Sequence, residues 1–178
     1  MENMLEQIKY LKQKLTLAPF LEVNHSSHIW QATFEWFAPA STEQIRQVEQ
    51  QLQISLPLDY ITFLSECSNG GLMFHDAEYG QWGFKFYQVD ELLEKQKFWQ
   101  QSLPKIQPTE FLAFAEILGE ANVLLLDLKK LAVDKNSCAV VEGNAIDPID
   151  DWSVASRCFH EWLDHLIIAQ GTKYWEWQ

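Results

Sequence analysis

The stretch LPLDYITFLSECSNGG (residues 56–71) decides how the chain is read, because it closes on a doubled glycine and carries two serines, a cysteine and two carboxylates. It could be a phosphate loop, a nucleophile site, or a helix that ends in a turn. Tyr60, Phe63, Leu64 and Cys67 recur at i, i+3, i+4 and i+7, one apolar stripe of a helix. Cys67 lies on that stripe, so it reads as a small core residue rather than a nucleophile. Pro57 sits well at the first helical position, where its missing N–H costs nothing. A phosphate loop needs its glycines before a helix, with amides aimed at the anion, and usually a lysine. Here Asn69-Gly70-Gly71 comes after the stripe, so the expectation is a left-handed cap that stops the helix.

Upstream, Ser41 with Gln44 makes a capping box, and Ile45, Val48 and Leu52 give the next helix its buried face. FAPAS (37–41) is a break. Trp30, Ala32, Phe34 and Trp36 alternate with polar residues and predict a strand. VNHSSH (23–28) reads as a polar loop. Met4, Ile8, Leu11 and Leu15 predict an amphipathic first helix closed by Pro19.

Downstream the period changes. GLMF and GFKFY read as strands around a turn-rich HDAEYGQW, and 89–99 as a helix. FLAFA (111–115), VLLLDL (123–128) and CAVVE (138–142) are strand-like runs parted by the turns GEAN and DKNS. After the acidic loop NAIDPIDDW, a last helix is expected from about Val154 to Ala169, with Cys158, Trp162, Leu166 and Ala169 on one face. Helices, then mostly strands, then a helix predict an α+β fold in a single domain. Residues 1–36 read as a helix and strand-like extension packed on a domain spanning 37–170, with 171–178 as an aromatic tail.

The 178 residues include 13 Lys and Arg against 25 Asp and Glu, a net charge of −12. Such a surface repels phosphate backbones and anionic membranes, and favours a basic protein partner. Eight tryptophans and eleven phenylalanines are mostly core material. Three scattered cysteines without zinc spacing predict reduced thiols and a cytoplasmic protein. No signal-like or membrane-spanning apolar run is present.

In order, these pieces resemble the Smi/Knr family of the SUKH superfamily. The matching text is FAPASTEQIRQVEQQLQISLPLDYITFLSECSNGG, then FLAFAEILGEANVLLLDL, then SRCFHEWLDHL, from Phe37 to Leu166. The turn in the second block departs from the family's glycine-rich form, with Gly119 alone. The resemblance implies a central mixed β-sheet flanked by helices, with Leu56, Pro57, Tyr60, Asn69, Gly70 and Gly71 as fold determinants. It also implies a non-enzymatic protein-binding module without cofactors. Bacterial relatives serve as immunity proteins against polymorphic or contact-dependent toxins, and fungal relatives regulate cell-wall assembly, so a regulatory scaffold is the alternative.

Catalytic readings are weaker. A small hydrolase could pair Cys67 with His75, but no group to orient the base is evident. His25 and His28 lack a third metal ligand. His160 and His165 fall on different helix faces. Asp150-Asp151, or Asp76 with Glu78, read as surface charge before acid–base catalysts. The same loops suit partner contact. Asp76, Glu78, Tyr79 and Trp82 form one acidic-aromatic segment, and Asp147, Asp150, Asp151 and Trp152 another.

Overall fold

A computed structural model describes residues 2–25, 28–103, 109–131 and 138–177. The chain forms helix α1 (Glu2–Leu17), strands β1 (Leu21–His25) and β2 (His28–Trp36), and helices α2 (Thr42–Leu52) and α3 (Leu58–Thr62). Then come β3 (Gly71–Asp76), β4 (Phe84–Phe86), α4 (Leu92–Ser102), β5 (Phe111–Ile117) and β6 (Asn122–Asp127). β7 (Ala139–Asn144), β8 (Ser153–Ser156) and α5 (Phe159–Ile168) complete it. The eight strands pair in chain order. Every pairing is antiparallel, so the sheet is a meander and not the mixed sheet the resemblance implied.

A meander sends alternate connections to opposite ends. The β2–β3, β4–β5 and β6–β7 connections share one end, and the first two carry α2, α3 and α4. The β1–β2, β3–β4, β5–β6 and β7–β8 connections share the other, here called the turn end. This division positions everything that follows.

The opening stretch folds as a core element. Tyr60, Phe63, Leu64 and Cys67 are all buried. Pro57 caps α3 from one place before the first helical residue. Past α3 the chain widens into a single π turn, Phe63–Cys67, with the Ser68 N–H donating to the Phe63 carbonyl. The stop differs from the expected left-handed cap. Ser68 is already extended, so the helix ends before the glycines are reached. Gly70 and Gly71 have φ of 82° and 127°, and their task is strand entry. A Cβ on Gly71 would lie 2.0 Å from the Glu35 carbonyl of β2, and one on Gly70 would meet the Phe86–Gln88 backbone at 2.9 Å. Asn69 ties the same junction by accepting the Val89 N–H at 2.8 Å.

Aromatic rings knit the helices to the sheet. Tyr60 and Phe63 meet Phe159 of α5 at 5.0 and 5.4 Å between centroids. Trp162 meets Phe84 and Phe86 of β4 and Phe114 of the adjacent β5. Such pairs add about 0.5–1.5 kcal/mol each beyond their area. Val123 to Leu126 are wholly buried, so β6 is covered on both faces and reads as a continuous apolar run. β4 is too short to pair with all of β5. The buried Gln96 side chain of α4 completes that edge, donating to the Phe111 carbonyl and accepting from the Ala113 N–H.

The Ser41–Gln44 capping box forms as the sequence predicts. Three expectations are corrected. VNHSSH is not a loop, because Val23 pairs with Trp30 in a β1–β2 hairpin; residues 26 and 27 lie outside the described residues. The last helix starts at Phe159, since Ser153–Ser156 pairs with β7 as a strand. The helix expected at 89–99 runs from Leu92 to Ser102, behind a turn in which Glu91 accepts the Gln88 N–H.

Candidate functional site

The turn end gathers the two acidic-aromatic segments on either side of the β5–β6 turn. Its loops at 77–83, 118–121 and 145–152 contain no lysine or arginine. The β3–β4 and β5–β6 turns are locked together. Leu118 N–H donates to the Gly83 carbonyl, and Gly119, at φ 81°, would place a Cβ 2.0 Å from the Gln81 carbonyl. That approach explains why the GEAN turn needs glycine at this position.

Within these loops the structure sorts the eight expected contact residues. Asp76 is buried and accepts the N–H groups of Glu78 and Tyr79, so it shapes the loop and is withdrawn from contact. Trp152 is also buried, edge-on to Phe111 and lying over Gly143. Trp82 is half-buried against the core and meets Phe84. Glu78, Tyr79, Asp147, Asp150 and Asp151 remain exposed. The Glu78 carboxylate, accepting from the Tyr79 hydroxyl, holds that phenol's pKa above its ordinary value. Asn144 fixes the second loop by accepting the Ile146 and Asp147 N–H groups. Ile146, 88% exposed, and Tyr79, 61% exposed, are apolar projections in this acidic field. A depression of about 470 Å³, lined by Glu22, Ile29, Trp30, Gln31, Ala77 and Glu78, continues it toward β1.

The C-terminal segment braces this end from below. Buried Lys173 donates to Glu120 at 3.0 Å and to Glu142 at 2.9 Å, and also pairs with Glu176. The Trp175 indole N–H donates to the other Glu142 oxygen. Burial pulls the Lys173 pKa down, but the three carboxylates outweigh it and hold it above the ordinary value. The aromatic tail folds back at Trp175, which is buried against Trp162, while Trp177 is exposed.

The Cys67–His75 pair that a hydrolase would need is not assembled, since the two residues stand toward opposite ends of β3. Cys67 is buried at the helix end, and burial pushes its thiol up to about 11 despite the nearby Lys12 ammonium. His75 faces Thr33 in the sheet. His25 and His28 are backbone partners across the first hairpin.

A different cluster, which spacing did not reveal, lies at the helix end. Asp59 of α3 accepts the His160 backbone N–H at 2.9 Å, supplying the N-terminal cap that Cys158 does not provide to α5. The same Asp59 oxygen stands 3.1 Å from His160 Nδ1, and Cys158 Sγ stands 3.3 Å from that nitrogen. A nucleophile relay needs thiol and carboxylate on opposite imidazole nitrogens. Here both face Nδ1, and burial pushes the Cys158 thiol up to about 11. The arrangement is one of three potential metal donors, all within 4.8 Å of one another. Cys-x-His was visible in the sequence, but Asp59 is 101 positions away.

Among the described residues no helix is long and apolar enough to cross a membrane. An antiparallel meander whose helices enter at one end, with a Leu-Pro-x-x-Tyr helix running into Asn-Gly at strand entry, defines an α+β fold class. The profile of the SMI1 / KNR4 family (SUKH-1) matches residues 39–165, and the chain belongs to that family. It is similar to two proteins of Bacillus subtilis (strain 168), each described as uncharacterized. YnaB is 30% identical over 146 residues, covering 82% of this chain and 88% of that protein. YobM is 24% identical over 145 residues, covering 78% and 71% respectively.

Proposed function

We propose that the chain is a non-enzymatic, cytoplasmic protein-binding module that acts as an immunity protein, neutralising a basic toxin domain by covering it with the acidic turn end of the sheet. The observation that carries this reading is the segregation of charge. Glu78, Asp147, Asp150 and Asp151 are exposed together with Tyr79 and Ile146, and the loops that hold them have no basic residue. Acidic fields of this kind raise encounter rates with a basic partner by roughly 10 to 1,000-fold at low salt. Exposed aromatic and aliphatic anchors then supply contact area inside a charged rim. The toxin role follows from the family resemblance, and the free, buried cysteines suit a reducing compartment.

The test is binding and rescue with a basic toxin domain encoded in the gene's neighbourhood. Wild type is expected to bind with a strongly salt-dependent association rate and to rescue growth. Reversal of Asp147, Asp150 and Asp151 to lysine is expected to slow association about tenfold or more. Neither binding nor rescue would remove the toxin role and favour the scaffold alternative. Unchanged binding by the reversed variant would remove the surface.

A further inference from the structure

We propose that Asp59, Cys158 and His160 form a binding site for a divalent cation of the zinc class at the helix end of the sheet. This site is separate from the acidic turn end and does not depend on the partner-binding reading.

Three observations converge on it. The first is geometric. Zinc bonds to nitrogen, oxygen and sulfur are about 2.0–2.3 Å, so tetrahedral donors stand about 3.3–3.8 Å apart. His160 Nδ1 lies 3.3 Å from Cys158 Sγ and 3.1 Å from Asp59 Oδ2, and the third edge is within 4.8 Å. Small side-chain adjustments bring all three to one centre.

The second is proton accounting. Nδ1 carries at most one proton, yet it faces two groups able to accept it. A cation in place of that proton contacts all three donors at once. The thiol would release its proton to solvent on binding, and the imidazole would ligate in its neutral form.

The third is charge. The Asp59 side chain is only 3% exposed, and its compensation from α3 and α5 is two backbone N–H groups and one ring. A dication with one thiolate, one carboxylate and a neutral imidazole sums to zero net charge, which suits a buried site. The donor set is borderline in softness, matching zinc and not calcium or magnesium. His160 is 29% exposed and gives the ion a path from solvent. A fourth corner is left for water or for Cys138, whose buried thiol lies close enough to feel both Asp59 and Cys158.

The supporting shell is already in place. The Tyr60 N–H holds Asp59 Oδ1, and the His160 N–H holds Oδ2. Both ligand-bearing segments are pinned by the Tyr60–Phe159 ring contact between them.

The experiment is titration of the full chain, stripped with chelator, with cobalt(II) as the spectroscopic probe and then with zinc as competitor. One equivalent of cobalt should bind, with a thiolate-to-cobalt charge-transfer band and the intense visible bands of a four-coordinate ion, and zinc should displace it. Cys158→Ser should abolish the charge-transfer band. His160→Gln, at a part-exposed position, should weaken cobalt binding about a hundredfold, the upper end of what even a supporting partner costs. Far-UV circular dichroism checks that both variants fold. A wild-type spectrum without the thiolate band overturns the proposal with no appeal to any variant, as does cobalt binding that is unchanged in His160→Gln.

Discussion

Lys173→Met should unfold this protein more easily than any surface change, and the structure sets the size of the effect. Lys173 is 8% exposed and Glu142 is 7% exposed, so their 2.9 Å contact is a buried ion pair. Removing one partner of such a pair costs about 3–5 kcal/mol, chiefly because the other charge stays buried without its counter-ion. Glu142 would keep only the Asn122 amide and the Trp175 indole as donors. The contacts to Glu120 and Glu176 are 27% and 54% exposed on the acidic side, and each adds at most about 1 kcal/mol. The expected total is therefore about 3–5 kcal/mol, or a Tm lower by roughly 6–20 °C for a chain of this length. The assay is urea unfolding followed by tryptophan fluorescence and circular dichroism together. Adding Glu142→Leu to Lys173→Met should recover part of the loss, because the stranded charge is then gone. Since the Lys173 pKa is raised, its contribution is complete below the unfolded value of 10.5 and fades only as pH rises beyond it. A loss under about 1 kcal/mol, or a double variant weaker than the sum of the two singles, would refute the reasoning.

Three further outcomes are expected. Gly119→Ala should cost about 2 kcal/mol or more in thermal melts, because it combines a left-handed backbone with a clash on the Gln81 carbonyl. Gln96→Leu should cost about 2–5 kcal/mol in urea, since the Phe111 carbonyl and Ala113 N–H would both be buried without partners. The three buried thiols should resist a thiol reagent at pH 7–8 until the chain is unfolded. Cys67 and Cys158, raised from 9.0 to about 11, stabilise fully below pH 9, and that contribution should drain away as pH climbs toward 11.

The parts of the fold that were legible in the sequence are those where local chemistry and tertiary packing agree. The Ser41–Gln44 cap and the Tyr60-to-Cys67 stripe depend on neighbours three to seven positions away, and both fold as their spacing predicts. Asn69-Gly70-Gly71 was legible as a stop but not as a strand entry, because the demand for glycine comes from the β2 and β4 backbones pressing on both sides. The apolar face that closely follows Val154 predicts a helix there, whereas β7 supplies hydrogen bonds that draw 153–156 into the sheet. At the candidate site, the sequence located the acidic loops but not their internal division. Asp76 and Trp152 turn inward, and only the fold separates them from Glu78, Tyr79 and Asp151. No local pattern marks Asp59, since its partner His160 belongs to a helix at the far end of the chain.

Hydrogen–deuterium exchange of the chain, free and bound to the basic toxin domain proposed as its partner, puts the docking surface to the most direct trial. The account predicts slowed exchange at 77–82, 118–121 and 145–152, with the helix end at 42–68 and 89–103 unchanged. Protection confined to the helix end, with the acidic loops exchanging as in the free protein, would contradict it.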